Sequence, residues 1–325
     1  MRAQVHLQRG NDPAEVTPLF ETTAVEPPHY LVGLSLVALS AVTASLVTTC
    51  VKYESVDLYA METVFWRFVI AYVFTLILVL YAKVDLLVAP EHHWDLICRC
   101  LYGFGAIASL FWAITQMTLA DASTLAFTSP ILTFFFAAWL LHETIGLVEL
   151  GCAFVSLVGV VFVVRPTIVF TAPILTYGSP YAPCVAVLSA VFTSLAFVHM
   201  RKLKSLHYIV VAHYFLLSGA AISGVYVLLA QGCFNLHTSG RSVTQAAIAS
   251  GFMAFLGELA LTKGLQIEQA GVASVVRYLD IVFVFIWDAA LIRERISVWS
   301  LIGAVLIAAA VVALFVRKAT ARETV

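Results

Sequence analysis

The 325-residue chain is 62% hydrophobic and only 11% charged, with a formal net charge of −1 and a mean hydropathy of +0.97. Soluble domains average about 45–50% apolar and about 25% charged residues, so a soluble globular protein is excluded and the chain must live in a lipid bilayer. The near-neutral charge comes with no basic run, which gives nucleic acid no electrostatic footprint.

Residues 1–29 are polar and carry Pro13, Pro18, Pro27 and Pro28. They lack the apolar core of a signal peptide and read as a disordered cytosolic tail. A bilayer-spanning helix needs roughly 20 apolar residues. Ten segments meet that length: about 30–51, 59–81, 100–119, 122–141, 145–164, 180–199, 209–230, 246–263, 271–292 and 297–316. The longer connections are 82–99, 165–179 and 231–245. With both termini cytosolic, about eleven Lys and Arg fall on the cytosolic side against five opposite, and RKLK (201–204) is the densest group. The positive-inside rule therefore supports ten crossings and cytosolic ends, in the plasma membrane or an endomembrane such as the ER or Golgi.

Several spans carry residues that lipid would not select. The second holds Arg67. The third holds Ser109, Trp112 and Gln116, the last two sharing a face at a spacing of four. The fourth holds Ser123, Thr124, Thr128, Ser129, Pro130 and Thr133. Pro130 removes the helical bond to Ala126, which predicts either a packing kink or a hinge beside a solute, with hydroxyls or water satisfying the freed carbonyl. The eighth holds Glu258, and the ninth holds Ser274, Arg277, Tyr278, Asp280 and Asp288. At 100° per residue, Ser274, Arg277, Asp280 and Asp288 fall within an arc of about 120°. An ionised residue at mid-membrane costs about 2.5–3.5 kcal/mol, so Arg67, Glu258, Arg277 and Asp280 would together cost roughly 10–14 kcal/mol if unpaired. They must be paired, hydrated, or both: lining a transport cavity, holding helices together, or doing the two at once.

Estimated depths place Glu258 and Arg277 on the order of 5–7 Å from the midplane toward the cytosol, which predicts a Glu258–Arg277 ion pair. Asp280 then faces solute or water as a candidate proton carrier. Arg67 fits two roles, holding an anionic solute or bonding loop carbonyls or Asp57. Trp112 with Gln116, and Tyr278 beside Arg277, could cradle a sugar or nucleobase or simply pack. Glu143 and Glu294 precede the fifth and tenth spans, where carboxylates favour helix N-termini. His199 and His213 sit near cytosolic helix ends and read as interfacial packing. Gly151, Gly159, Ser300, Ala304 and Ala308 suit close helix contact, within one chain or in a homodimer.

Shifting the chain by 151 positions lays residues 122–145 on 273–296 with seven identities in 24 pairs, Glu143 on Glu294 among them. Each half then holds five spans, and an odd number of crossings turns the halves over relative to one another, a recurrent transporter plan.

These stretches resemble a known family. Residues 120–166, "ADASTLAFTSPILTFFFAAWLLHETIGLVELGCAFVSLVGVVFVVRP", resemble the first EamA-type repeat of the drug/metabolite transporter superfamily, and "YLDIVFVFIWDAALIRERISVWSLIGAVLI" (278–307) resembles the second. "VFWRFVIAYVFTLIL" (64–78) is similar to the family's Arg-bearing second helix, with Arg67 at the usual position. The wording is closest to eukaryotic members allied to the nucleotide-sugar transporters. The resemblance covers about residues 30–318. It implies an all-α integral membrane fold of ten transmembrane helices in two inverted five-helix repeats, moving a small organic solute by alternating access. The corresponding divisions are a first repeat at 30–166, a connector at 167–179, a second repeat at 180–318 and a cytosolic tail at 319–325. The Gly-Ala-Leu-Asn-Lys motif of GDP-mannose carriers is lacking, and the resemblance specifies no cargo.

The functional expectation is a secondary carrier of a small polar, anionic metabolite. Its candidate substrate-binding residues are Arg67, Trp112, Gln116, Thr128, Ser129, Glu258, Arg277, Tyr278 and Asp280. A non-transporting scaffold that keeps the fold is the alternative. An intramembrane enzyme lacks support, since HETIG (142–146) is not HExxH and no nucleophile–base pattern or P-loop appears. The six cysteines include a lone Cys98-Arg99-Cys100, too sparse for a metal site, and nothing calls for a cofactor.

Overall fold

The computed structural model describes residues 29–320 except 56, 167–168, 170–178, 237–238, 288–289 and 291–297. Asp288, Arg293, Glu294 and Arg295 therefore lie outside the described residues, as do most of the 165–179 connection and nearly all of the two tails. Among the described residues, ten helical segments are long and apolar enough to cross a membrane, and no strand occurs.

The helices are α1 (His29–Glu54), α2 (Ala60–Ala82), α3 (Pro90–Gln116), α4 (Leu119–Ala126), α5 (Ser129–Leu141), α6 (Leu147–Val164), α7 (Ala182–Lys202), α8 (Tyr208–Tyr226), α9 (Arg241–Ile267), α10 (Ala270–Val276), α11 (Leu279–Trp287) and α12 (Val298–Thr320). The fourth span is α4 followed by α5 and the ninth is α10 followed by α11. α3 begins at Pro90, ten residues before the predicted third span. Pro90 occupies the first turn, where its missing N–H is no loss, and Glu91 beside it favours the positive helix end.

Both discontinuous spans break at the same level. α4 stops at Ala126 and α5 resumes at Ser129; α10 stops at Val276 and α11 resumes at Leu279. Pro130 sits in the first turn of α5, so the proline starts the second half-helix instead of kinking a continuous one. The ninth span breaks without a proline, through tight turns in which Tyr278 N–H reaches Val275 O at 3.0 Å and Asp280 N–H reaches Arg277 O at 3.0 Å. Freed carbonyls in lipid need partners. In the fourth span, the Tyr278 hydroxyl donates to Phe127 O and the Thr128 hydroxyl donates to Leu125 O at 2.7 Å. The sequence expected hydroxyls for this task, and they come from both halves of the chain.

The most extensive helix pairings are α1 with α9, α3 with α7, α6 with α12 and α2 with α8. Counting by spans, these are first with eighth, third with sixth, fifth with tenth and second with seventh. Exchanging each span with the one five places away returns the same set. The fifth and tenth spans approach at their backbones: a Cβ on Gly159 would lie 2.7 Å from Gly303 O, and one on Gly303 would collide with Gly159 O. Of the small residues singled out from the sequence, Gly159 makes this contact, while Gly151 has nothing within 4 Å of where a Cβ would stand.

The ends of the helices are tied across the two halves. Glu143 accepts from Arg201 Nε at 3.0 Å and from Ala270 N–H at 3.2 Å, so it caps α10 and not the helix that follows it. Asp95 meets His199 at 2.8 Å and Lys202 at 3.7 Å, and Glu149 meets Arg317 at 2.6 Å. At the opposite end Glu62, fully buried, accepts from the Asn235 and Leu236 amides and from Asn235 Nδ2 at 3.1 Å, holding the loop before α9 onto α2.

Candidate functional site

A cavity of about 330 Å³ opens between the two halves, walled by α1, α2 and α3 on one side and by α7, α8, α9 and the α10–α11 break on the other. Phe68, Phe197 and Phe215 supply apolar wall; Ser40, Thr48 and Thr193 supply hydroxyls; Arg67, Arg99, Glu258 and Arg277 supply charge.

Arg99 and Glu258 form the tightest pair of the cavity, with Nη2 2.7 Å from Oε1 and side chains only 3% and 11% exposed. Thr262 adds a hydroxyl donor to the same oxygen at 3.2 Å. The Arg99 guanidinium carbon also lies 3.8 Å from the centre of the Phe215 ring, where the aromatic face favours a cation. Gly103, one turn along α3, makes the room: a Cβ there would strike Arg99 Nη1. This corrects the expected Glu258–Arg277 pair. Because α3 starts ten residues earlier than its apolar run, Arg99 is carried into the membrane and reaches Glu258 first.

Arg277 turns to α1 instead. Its Nη1 donates to Ser40 O at 3.0 Å and lies 3.3 Å from Ser40 Oγ, while Nη2 lies 3.7 Å from Asp280 Oδ2. The break at Arg277–Tyr278 points the guanidinium across to α1, and Asp280 falls in the first turn of α11, where the helix end favours a carboxylate. Asp280 Oδ1 is buried without a hydrogen-bond partner.

Arg67 differs from both. Among the described residues it has no hydrogen-bond partner and no carboxylate within ion-pair distance. Asp57, its candidate partner from sequence, accepts from Gly240 N–H. The cavity thus gathers three guanidinium groups against the carboxylate of Glu258, with Asp280 outside the lining and beside Arg277.

Six candidates from the sequence lie outside the cavity lining, Asp280 beside Arg277 among them. Trp112 is 41% exposed on the outer surface, and Gln116 accepts from Ser179 N–H at 3.0 Å, fastening the connection between the halves. Thr128 donates to Leu125 O at 2.7 Å, the Ser129 carbonyl is taken by Ser194, and Tyr278 is 1% exposed and bonded to Phe127 O. These residues shape the helix breaks. Hydroxyls at a break satisfy freed backbone first, which removes them from solute. Of the two histidines, His199 bonds Asp95 and His213 packs against the Tyr72 ring at 5.1 Å.

Sequence reasoning missed Arg99, Ser40 and Glu54. The Pro90-Glu91 helix start was the available signal for Arg99. Glu54 stands just past an apolar run and is fully buried.

Ten apolar spans enclosing a charged cavity define a multi-pass integral membrane protein of helical-carrier type. The model of the EamA-like transporter family matches residues 31–165 and again 181–316, and the chain belongs to that family. It is therefore a member of a membrane-transporter family. The chain is 28% identical over 292 residues to solute carrier family 35 member G1 of Homo sapiens, covering 88% of this chain and 79% of that one. It is 31% identical over 284 residues to the pseudopaline exporter CntI of Pseudomonas aeruginosa, covering 87% and 95%. An uncharacterised membrane protein of Saccharomyces cerevisiae is 28% identical over 277 residues, and this chain spans 66% of its length. A solved crystal structure superposes with a TM-score of 0.72 at 19% identity, covering 87% of this chain and 96% of that one, and shows the fold.

Proposed function

We propose that this protein is a secondary transporter of a small polar organic anion, working by alternating access of two inverted five-helix repeats around the cavity of Arg67, Arg99, Glu258 and Arg277. The carrying observation is Arg67: a guanidinium lining a cavity between the halves with no hydrogen-bond partner and no carboxylate within ion-pair distance among the described residues. Arg99 and Arg277 are in contact with Glu258 and Asp280, so Arg67 is the cavity guanidinium whose donors are open to a ligand. A guanidinium presents paired donors that match a carboxylate or phosphate.

Three observations support the inverted arrangement. The family model matches twice, each match covers five crossings, and the helix pairings are unchanged when the two sets of five are exchanged. The domain division is then 30–166 and 180–318. With Arg99 moved into a span, the cytosolic side keeps ten basic residues against five, which still favours cytosolic termini. The names of the human and bacterial relatives, a solute carrier and an exporter, accord with movement of an organic solute.

A thermal-shift panel of organic acids, sugar phosphates, nucleotides, amino acids and neutral sugars on the purified full-length protein tests this reading. Binding stabilises by mass action, by about 2.7 kcal/mol at a hundredfold excess over Kd. Anions should stabilise the wild type, and Arg67→Ala should weaken them roughly 10–150-fold, the worth of a charge-assisted hydrogen bond of about 1.5–3 kcal/mol. A panel answered by neutral sugars, or anion binding indifferent to Arg67→Ala, would overturn it.

A further inference from the structure

The hydrogen-bond donors of the cavity wall bear on what kind of anion fits it. Ser40, Thr48 and Thr193 are the hydroxyls among the described lining residues, and each spends its proton on its own helix. Ser40 Oγ donates to Val37 O at 2.7 Å, Thr48 Oγ1 to Ala44 O at 3.1 Å and Thr193 Oγ1 to Ser189 O at 2.9 Å. Among the described residues no Asn, Gln, His, Lys, Tyr or Trp lines the cavity. The backbone N–H groups of a helical wall are taken one turn back, and at the ninth-span break the Arg277 amide is taken by Ala273 O at 3.2 Å.

The donors left for a solute are guanidinium N–H groups. Arg99 is turned onto Glu258 and the Phe215 ring, and Arg277 onto Ser40 O, so the open ones belong to Arg67. Beside Arg67 the surroundings turn apolar at once. Its guanidinium carbon lies 5.7 Å from the centre of the Phe68 ring, and Phe68 meets Phe215 edge to face at 5.4 Å. The rest of the wall includes Ile107, Phe197, Met253 and Leu261, all only partly covered by protein.

This wall treats two kinds of anion differently. Each hydroxyl of a sugar or polyol both donates and accepts, so a solute rich in hydroxyls needs partners on every side. Here it would find an open guanidinium at one place and carbon elsewhere. A hydroxyl taken out of water without partners weakens binding roughly tenfold or more. A methylene laid against Ile107, Phe197, Met253 or Leu261 strengthens it about fourfold. At about 330 Å³ the cavity is also near the small end of ligand sites, which run from about 300 to 1,000 Å³, so the apolar part is short.

We propose that the solute is a small amphipathic anion, a single carboxylate on a short apolar body, and not a sugar phosphate, sugar acid or nucleotide. This rests on the reading of Arg67 as the anion-holding residue. The carboxylate accepts from Arg67, and the body lies against the wall of Ile107, Phe197, Met253 and Leu261. Selectivity against hydroxyl-rich anions comes from the wall's missing donors, and Arg67 supplies affinity for both kinds alike.

Hexanoate and gluconate test this, because both are six-carbon monocarboxylates of equal charge and differ in the hydroxyls that gluconate carries. Binding of each to the full-length protein in lipid nanodiscs is measured by isothermal titration at neutral pH. Hexanoate should bind at least tenfold more tightly than gluconate, and affinity should rise about fourfold per methylene from butyrate to hexanoate. Ala254→Trp, which fills the cavity from α9, should abolish the hexanoate signal and so separates the cavity from the bilayer. The wild-type comparison stands whether or not that variant folds. Gluconate bound as tightly as hexanoate, no hexanoate binding, or a hexanoate signal that survives Ala254→Trp would overturn the proposal. Arg67→Ala should weaken both acids by the same factor. If both depend on Arg67 but gluconate binds as well as hexanoate, the amphipathic class fails and the anion reading stands; if neither depends on Arg67, the anion reading itself fails.

Discussion

Arg99 on the third span and Glu258 on the eighth meet at 2.7 Å, joining the two halves of the chain at the wall of the cavity. Both charges are nearly dry, so removing either strands the other. Arg99→Ala or Glu258→Ala should each destabilise the protein by about 3–5 kcal/mol. Replacing both with leucines should cost much less than the two single changes added together. Thermal unfolding in detergent checks this. Additive losses would mean the pair is not a unit.

The closest backbone approach gives a second prediction. Gly159→Ala and Gly303→Ala each push a methyl group into the facing helix and should cost about 1–3 kcal/mol, the range for overpacking. Gly151→Ala, about two turns earlier on α6 with open space around it, should be neutral or stabilise by up to about 1 kcal/mol through helix propensity. Melting temperatures of the three variants, measured side by side, would show the order. A loss in Gly151→Ala equal to that in Gly159→Ala would contradict the packing described.

Glu62 governs the loop that precedes α9. Glu62→Ala leaves the Asn235 and Leu236 amides without their acceptor. Amide exchange at 235–236 should quicken at least tenfold, since an unmade bond to a charged acceptor is worth about 1.5–3 kcal/mol. Unchanged protection there would place the loop's anchor elsewhere.

How far the sequence carried is clearest span by span. The second span, expected at 59–81, is Ala60–Ala82, and the fifth, expected at 145–164, is Leu147–Val164. Length and apolarity suffice for such segments because lipid imposes both. The third span failed at its start, since Pro90–Arg99 is helical but polar, and hydropathy alone does not register helix beyond the apolar run. That one boundary hid Arg99 and so misassigned the partner of Glu258. Arg67, Glu258, Arg277 and Asp280 stood out as charges in apolar runs, yet which charge meets which depends on how helices slide past one another, and sequence does not encode that locally. Thr128, Ser129 and Tyr278 were misleading for a physical reason. They lie at the helix breaks, where backbone carbonyls claim hydroxyls that would otherwise be open to a solute.

Glu143 yields a fourth prediction. It holds Arg201 and the first N–H of α10 together. Glu143→Gln keeps an acceptor for the Ala270 amide and should lose about 1 kcal/mol, whereas Glu143→Ala loses both contacts and should cost about 2–3 kcal/mol. Chemical denaturation of the two variants checks the ordering. Equal losses would show that only the ion pair counts.

The central claim is that Arg67 and its neighbours face a shared aqueous cavity between the halves and not lipid. Thiol labelling in a background without the six native cysteines tests it most directly. Single cysteines at Thr48 and Met253, on the cavity wall, should react in lipid vesicles with a membrane-impermeant anionic methanethiosulfonate. A cysteine at Ile77, 56% exposed on the outer face of α2, should not. Inert cavity cysteines alongside a reactive Ile77→Cys would contradict the account.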